Sequence, residues 1–158
     1  MNIMKVREFM VKDVISVNPE SSIKDVMALF VEKKIGGVPI IKKDGTLVGM
    51  VTDGDILRAI KPIDRRIPDY FSFITYVAKE DMNNRLKELA NREIRMIAKT
   101  HGIFSVRPED DMKNVVELLS KHHFKKLPVV DEQNHVVGVI SRGDVIRNIQ
   151  QTIVQNME

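Results

Sequence analysis

The sequence predicts an α+β protein built from two copies of one β-α-β-β-α unit. The first observation is an internal repeat with an offset of 89 residues, in which Val-Pro-Ile-Ile at 38–41 recurs as Leu-Pro-Val-Val at 127–130. The second is that this offset holds without a gap from 17–60 to 106–149, and that four of the six prolines and four of the eight glycines fall in matched pairs. The third is size, because one unit of roughly 50 residues is marginal by itself. The two copies are therefore predicted to pack as an intramolecular pair with pseudo-two-fold symmetry.

Each copy shows the same order of predicted elements. A short apolar run at 14–17, repeated at 103–106, predicts a strand that ends just before a proline. Capping residues follow, and apolar residues then recur at i, i+3, i+4 and i+7, which predicts an amphipathic helix. Two more apolar runs separated by a turn predict a hairpin, and Asp44-Gly45 in the first copy is a strong turn signal. A closing helix is predicted to begin near Asp53 and near Arg142.

We divide the chain into repeat 1 with a lead-in helix at 1–61, an ordered and partly helical insert at 62–93, and repeat 2 with a C-terminal helix at 94–158. The insert holds half of the chain's eight aromatic residues within 70–76, and the pattern from 80 to 98 predicts a helix. Two interpretations of the insert stay open, which are additional core and a packing surface for a second subunit or partner.

Composition narrows the functional classes. The sequence has no cysteine, which fits a reducing compartment, and it has no apolar run long enough for a signal peptide or a membrane span. We therefore expect a cytoplasmic protein without membrane attachment. The net charge of +3 fits either a mixed-charge surface or the attraction of a small anion. Nucleic acid is a disfavoured partner, because no dense basic stripe is interleaved with aromatic residues.

The sequence does not predict an enzyme. It contains no GxxxxGK[ST], GxGxxG or HExxH motif, and no metal ligands are assigned because His122 and His123 lack partners at ligand spacing. Asp55 and Asp144 are equivalent positions in the two copies, which suits two binding sites better than one acid–base pair. We assign no catalytic residue.

The repeat resembles the cystathionine-β-synthase (CBS) domain family, and the tandem copy resembles a stand-alone CBS pair, or Bateman module. Three features carry the resemblance: the apolar-Pro-apolar strands at 38–40 and 127–129, the glycines at 49 and 138, and the signature Gly-apolar-x-Thr/Ser-x-x-Asp at 49–55 and 138–144. Residues 6–10 resemble the family's lead-in helix, and their counterpart at 94–98 fits at an offset of 88. The resemblance covers nearly the whole chain outside about 61–93.

The resemblance implies a regulatory, energy-sensing module that binds AMP, ADP or ATP in clefts between the repeats and has no catalytic cofactor. It also implies a homodimer and, since no effector domain is recognised, an effector protein whose identity is unknown. Three alternatives remain: a ligand-free dimerisation or scaffold module, a sensor of an S-adenosylmethionine-type ligand, and a nucleic-acid regulator.

By the resemblance, Asp55 and Asp144 hold ribose, while Thr52 and Ser141 contact phosphate. These roles are chemically reasonable, because a carboxylate can accept hydrogen bonds from both ribose hydroxyl groups and a helix N-terminus attracts an anion. The alternative is that both aspartates are first-turn residues favoured by the helix dipole. The resemblance assigns the adenine pockets to Ile15, Ser16, Val17, Val38, Pro39, Phe104, Ser105, Val106, Leu127 and Pro128.

The two copies differ in the pair of residues that precedes the apolar-Pro strand. Copy two has Lys125 and Lys126 there, whereas copy one has glycines at 36–37. In the family's geometry the lysines complete the site of Asp55, so this site is the better equipped for phosphate, unless the lysines are simply a solvated strand end. Arg142 and His101 are further candidate phosphate ligands, and an exposed loop position is the alternative for His101.

Overall fold

The computed structural model describes residues 4–60 and 83–156, and it confirms the predicted α+β class. The first repeat contains α1 (Ile23–Lys33), β1 (Gly37–Ile41), β2 (Leu47–Thr52) and α2 (Asp53–Ile60). Residues 83–90 form α3. The second repeat contains α4 (Met112–Lys121), β3 (Lys126–Val130), β4 (Val136–Ser141) and α5 (Arg142–Asn156).

The two hairpins repeat each other residue for residue. β1 and β2 pair antiparallel with Val38 opposite Val51, and β3 and β4 pair with Leu127 opposite Ile140. Each ladder also has a register irregularity at its equivalent position. The predicted opening strands are much shorter than expected: each contributes one parallel bridge, at Val17 in the first repeat and at the equivalent position in the second. Val14 and Ile15, which precede Val17, do not extend this ladder and line a cavity.

The repeats exchange their lead-in segments. Val6, which is fully buried, packs in the hydrophobic core of the second repeat with Val115 and Leu127. Ile94, also fully buried, packs in the core of the first repeat with Ile23. Backbone bridges follow the same exchange, since residue 11 pairs with residue 139 and residue 99 pairs with residue 50. Each half therefore completes its core with chain that precedes the other half, an arrangement that the sequence boundaries alone do not show.

The helix predicted over 80–98 is wrong in its extent. It ends at residue 90, and a 3₁₀ turn follows at Ile94–Met96. The reason is a pair of backbone hydrogen bonds with the start of α1: Ile23 N donates to Arg92 O at 2.9 Å, and Ile94 N donates to Ser21 O at 2.7 Å. The first lead-in is likewise a 3₁₀ turn, Val6–Glu8. The aromatic cluster at 70–76 lies outside the described residues.

The closing helices leave apolar side chains exposed. Ile146, Ile149 and Ile153 of α5 are 43%, 37% and 51% exposed, and Leu57 of α2 is 63% exposed. Ile56, by contrast, is buried in the core of the first repeat, so it is unavailable to a partner. Over the described ranges, 4–60 and 83–156, the helices are too short or too polar to cross a bilayer.

Candidate functional site: two clefts between the repeats

A cavity of about 350 Å³ opens between the repeats beside Asp55, and we call it the Asp55 cleft. In the first repeat, the end of β2 supplies Thr52 and the first turn of α2 supplies Asp55. The second repeat supplies Lys125 and Lys126 at the start of β3, together with Phe104. The volume lies within the range of about 300–1,000 Å³ that is usual for small-molecule sites. Residues from both repeats therefore converge on one ligand-sized space.

The Asp55 carboxylate is held in place by its neighbours. Thr52 donates to Oδ2 twice, from its backbone N at 2.9 Å and from Oγ1 at 3.1 Å. Arg58 Nη2, one turn further along α2, donates to Oδ1 at 2.7 Å. The two bonds from Thr52 fill both lone-pair sites of Oδ2, whereas Oδ1 keeps one site open for a ligand. Rotation of the Thr52 hydroxyl proton toward a ligand frees a second site. The carboxylate is thus oriented in advance rather than blocked.

One wall of the Asp55 cleft is aromatic and basic. The Phe104 ring lies 5.2 Å from the Phe124 ring and 4.7 Å from the His122 ring, measured between centroids. Lys99 Nζ lies 6.0 Å from the Phe104 centroid and 5.9 Å from that of Phe124, close to the outer limit of a cation–π contact. This wall offers a flat apolar surface with a cation above it.

A second cavity, of about 220 Å³, lies beside Asp144, and we call it the Asp144 cleft. Arg147 Nη2 donates to Asp144 Oδ1 at 2.6 Å, and the Asp144 backbone N donates to Ser141 Oγ at 3.1 Å. The hydrogen bond with the Ser141 side chain, followed by the contact with Arg147, holds the pKa of Asp144 below its ordinary value. The group is therefore a carboxylate at neutral pH.

Lys126 lies between the clefts and lines both of them. Its Nζ donates to the carbonyl oxygen of Gly37 at 3.1 Å. Burial lowers the pKa of Lys126, and the nearby negative charge of Asp144 opposes that shift. The two sites therefore share one ammonium group, which is partly desolvated and already has a carbonyl partner.

The sequence model of the CBS domain family matches residues 6–62 and 92–151, which cover both repeats. The chain belongs to the CBS domain family. The match explains the doubled architecture, because each CBS segment supplies one hairpin and one of the two cleft aspartates.

Two curated proteins resemble the chain along most of its length. It is 29% identical over 153 residues to the uncharacterized protein MJ1426 of Methanocaldococcus jannaschii, covering 91% of this chain and 90% of that protein. It is 31% identical over 134 residues to the chloroplastic CBS domain-containing protein CBSX2 of Arabidopsis thaliana, covering 83% of this chain but only 56% of that protein.

Two solved structures have the same fold. The crystal structure of CBSX2 in complex with AMP aligns with a TM-score of 0.71 at 26% identity, covering 94% of this chain and 97% of that one. The CBS pair of protein MJ0100, solved with 5′-methylthioadenosine and S-adenosyl-L-methionine, also aligns with a TM-score of 0.71, covering 96% of this chain and 99% of that one. Its identity is 20%, so this likeness concerns the fold alone.

The CBS pair brings most of the sequence-predicted site residues together. Thr52, Asp55, Lys125, Lys126, Phe104, Leu127 and Pro128 line the Asp55 cleft, and Ser141, Asp144, Ile15 and Pro39 line the Asp144 cleft.

Several predicted residues lie elsewhere. Val38 and Val106 are buried in the two hydrophobic cores, where their short side chains pack away from the clefts. Three other predicted adenine contacts are not among the lining residues: Ser16 and Ser105, which are exposed, and Val17, which packs against the first core.

The two additional phosphate candidates are also outside the cleft walls. Arg142 is exposed, and its backbone N donates to Lys125 O at 2.8 Å. His101 is exposed beside Gly102, whose φ is +61°, and it lines neither cleft.

Sequence analysis missed Lys99 and Asp13, which line the Asp55 and Asp144 clefts respectively. Lys99 reaches the cleft because the lead-ins are exchanged. Aligning the two lead-ins at an offset of 88 residues, which pairs Lys99 with Val11, could have drawn attention to it.

The side chains of the two clefts are arranged as in a ligand-binding site. Each cleft combines an oriented carboxylate, a hydroxyl group and an apolar wall at the start of a helix. In the part of the chain that the structure describes, no cluster of three or more histidine, aspartate or glutamate side chains is arranged to hold a metal ion.

Proposed function

We propose that this CBS pair is a regulatory module that binds an adenine nucleotide in the Asp55 cleft and acts through a partner protein. The observation that carries the proposal is the meeting of Asp55 and Thr52 from one repeat with Lys125 and Phe104 from the other in a single cavity. A carboxylate, a hydroxyl group, an ammonium group and an aromatic ring are the groups that ribose, phosphate and a purine base require.

In this proposal Asp55 accepts hydrogen bonds from the ribose hydroxyls, with its orientation fixed by Thr52 and Arg58. The phosphate lies between Lys125 and the start of α2, which is eight residues long and begins directly after Thr52, so the positive end of the helix dipole faces it. The purine lies against Phe104 and Pro128. The likeness to CBSX2, which was crystallised with AMP, supports this placement.

The proposal includes regulation rather than catalysis. Both cleft aspartates are paired with an arginine at i+3, which suits a fixed hydrogen-bond acceptor for a ligand. A ligand that joins residues of the two repeats changes the free energy of their relative arrangement, and a partner can respond to that change. We place this module in the cytoplasm, with an effector protein of unknown identity.

The direct test is mass spectrometry of ligand carried through native purification, followed by thermal denaturation with added AMP, ADP and ATP. The proposal expects a co-purified adenine nucleotide, or a Tm that rises with nucleotide concentration as mass action requires. The competing scaffold function expects no bound ligand and an unchanged Tm. An unchanged Tm at millimolar concentrations of all three nucleotides contradicts the proposal.

The double variant Lys125→Ala/Lys126→Ala is predicted to weaken ATP and ADP binding more than adenosine binding. Lys125 is exposed, so solvent and salt screen its contact with phosphate, whereas Lys126 is half-buried. We expect each lysine to contribute about 0.5–1 kcal/mol to nucleotide binding. Calorimetric titration of adenosine, AMP, ADP and ATP measures the effect.

The matched control is Lys42→Ala/Lys43→Ala, which removes an equal charge from the turn after β1, outside both cleft linings. This variant should retain the wild-type order of affinities and the wild-type decrease of affinity with salt. Equal losses for adenosine and its phosphates in the Lys125/Lys126 variant would show that these lysines do not recognise phosphate.

We also propose a homodimer that packs through the exposed apolar side chains of the closing helices. Ile146, Ile149 and Ile153 lie on one helix at intervals of three and four residues, which aligns them as a stripe. Ile149→Glu should convert the dimer to a monomer, because it places an unpaired charge in the contact. Val31→Glu is the control, since Val31 lies on α1 and is 80% exposed. Light scattering that shows a wild-type monomer at micromolar concentration contradicts the dimer.

A further inference from the structure

The two clefts are built from equivalent positions that carry different charges. Residue 99 bridges residue 50 in one cleft as residue 11 bridges residue 139 in the other, so Lys99 corresponds to Val11. The lysine pair at 125–126 corresponds to the glycine pair at 36–37. In the loop after the lead-in, the Asp144 cleft gains the acidic Asp13, whereas the other repeat has no acidic residue at 100–102. Every one of these differences makes the Asp144 cleft more negative.

The resulting balance of charges differs between the two clefts. Among the described residues, four basic side chains (Arg58, Lys99, Lys125 and Lys126) and two acidic ones (Asp53 and Asp55) line the Asp55 cleft. Within the same described ranges, Asp13, Asp144 and the shared Lys126 are the charged residues of the Asp144 cleft. Arg147, which pairs with Asp144, is not part of that lining. Arg147 nevertheless neutralises Asp144 as Arg58 neutralises Asp55, so the first cleft is net positive and the second has no net charge. A phosphate therefore meets net attraction only in the first cleft.

Lys126 is poorly placed to reverse this balance. Its Nζ already donates to Gly37 O at 3.1 Å, and the negative charge of Asp144 acts on it at longer range. A phosphate that recruits Lys126 into the Asp144 cleft would compete with both of these partners.

The size of the Asp144 cleft agrees with its charge. Its volume of about 220 Å³ is smaller than the 350 Å³ of the Asp55 cleft and lies below the usual lower limit of about 300 Å³ for small-molecule sites. Its wall is aliphatic, with Ile15, Ile35 and Pro39 in place of the aromatic wall of the Asp55 cleft. A ligand smaller than a nucleotide fits this space better.

We infer that the Asp144 cleft selects a nucleoside whose 5′ substituent is neutral or cationic, whereas the Asp55 cleft selects a 5′-phosphate. This inference rests on the proposed function, because it uses the same ribose-binding role for both aspartates. The protein would then respond to two chemically different adenosine compounds, one in each cleft.

The test uses two variants that each retain one intact cleft: Asp55→Ala, which leaves the Asp144 cleft, and Asp144→Ala, which leaves the Asp55 cleft. Adenosine, AMP and 5′-amino-5′-deoxyadenosine are titrated into both by calorimetry at low salt. In the Asp55→Ala protein, adenosine and the amino compound should bind at least about fivefold more tightly than AMP, as expected for one unscreened charge contact. In the Asp144→Ala protein, the order should reverse.

A further pair of substitutions tests the cause. Asp13→Asn combined with Val11→Lys, both at exposed positions, gives the Asp144 cleft the charge pattern of its counterpart. In the Asp55→Ala background, these changes should raise AMP affinity roughly fivefold or more relative to adenosine. An unchanged preference overturns the assignment of selectivity to Asp13 and its neighbours.

The inference and the proposed function fail in different ways. If AMP binds the Asp144→Ala protein, but the Asp55→Ala protein binds AMP at least as tightly as adenosine, the inference is wrong and the function stands. The same conclusion follows if none of the three compounds binds the Asp55→Ala protein. If no compound binds the wild-type protein, both are wrong.

Discussion

Replacing Asp55 with alanine is expected to lower the affinity for AMP by roughly ten- to a hundredfold, since a hydrogen bond to a charged group contributes about 1.5–3 kcal/mol. The carboxylate is oriented by Thr52 and Arg58, so its loss removes contacts that the protein has organised before the ligand arrives. Calorimetric titration of AMP into wild-type and variant protein measures the effect.

The matched control is Asp144→Ala, which removes the equivalent carboxylate from the other repeat. It also removes the analogous contact with an arginine three residues later, so the two variants lose comparable local structure. We expect Asp144→Ala to leave AMP affinity within about twofold of wild type, because Asp144 does not line the Asp55 cleft and the shared Lys126 keeps its hydrogen bond to Gly37 O. Equal losses in both variants, or none in Asp55→Ala, contradict the assignment of the nucleotide to the Asp55 cleft.

The second large effect is expected on stability, from Gly49→Ala in β2. A Cβ atom at Gly49 would lie 2.6 Å from the carbonyl oxygen of Lys99, which is backbone and belongs to the exchanged lead-in. Overpacking of this kind typically costs about 1–3 kcal/mol of unfolding free energy. The shift should also displace Lys99 from the wall of the Asp55 cleft. Urea unfolding reports the stability, and titration with AMP reports the site.

Gly138→Ala is the control, because Gly138 is the equivalent glycine of β4. The nearest atom to a Cβ there is Met10 Sδ at 2.7 Å, the far part of a flexible side chain that can move aside. Gly138→Ala should therefore lower the unfolding free energy less than Gly49→Ala does. A greater loss for Gly138→Ala would show that the backbone contact between the lead-in and β2 is not what restricts position 49.

The repeat made much of this structure predictable. Matched prolines and glycines give the two hairpins their register, and the same offset places Asp55 and Asp144 at equivalent helix starts. The structure brings Lys125 from one repeat to Asp55 of the other, as the family resemblance implied. Local patterns succeed here because hairpins and amphipathic helices depend on residues close in sequence.

Long-range packing was not predictable from these patterns. The exchange of lead-ins depends on Val6 and Ile94 finding the core of the opposite repeat, and an apolar residue in a short segment does not specify which core it joins. Val38 and Val106 were expected at the adenine pockets but lie in the cores. The alternation of side chains along a strand separates two faces, but it does not indicate which face points to the core and which to the cleft. The contributions of Lys99 and Asp13 follow from the same exchange and loop placement.

The most direct test of the central claim is a crystal structure of the protein grown with AMP. The account predicts adenine against Phe104 and Pro128, the ribose hydroxyls on Asp55, and the phosphate near Lys125 in the Asp55 cleft. The Asp144 cleft should hold no phosphate at AMP concentrations that just saturate the first site. AMP bound away from Asp55, or an Asp55 cleft without density at saturating AMP, would contradict the account.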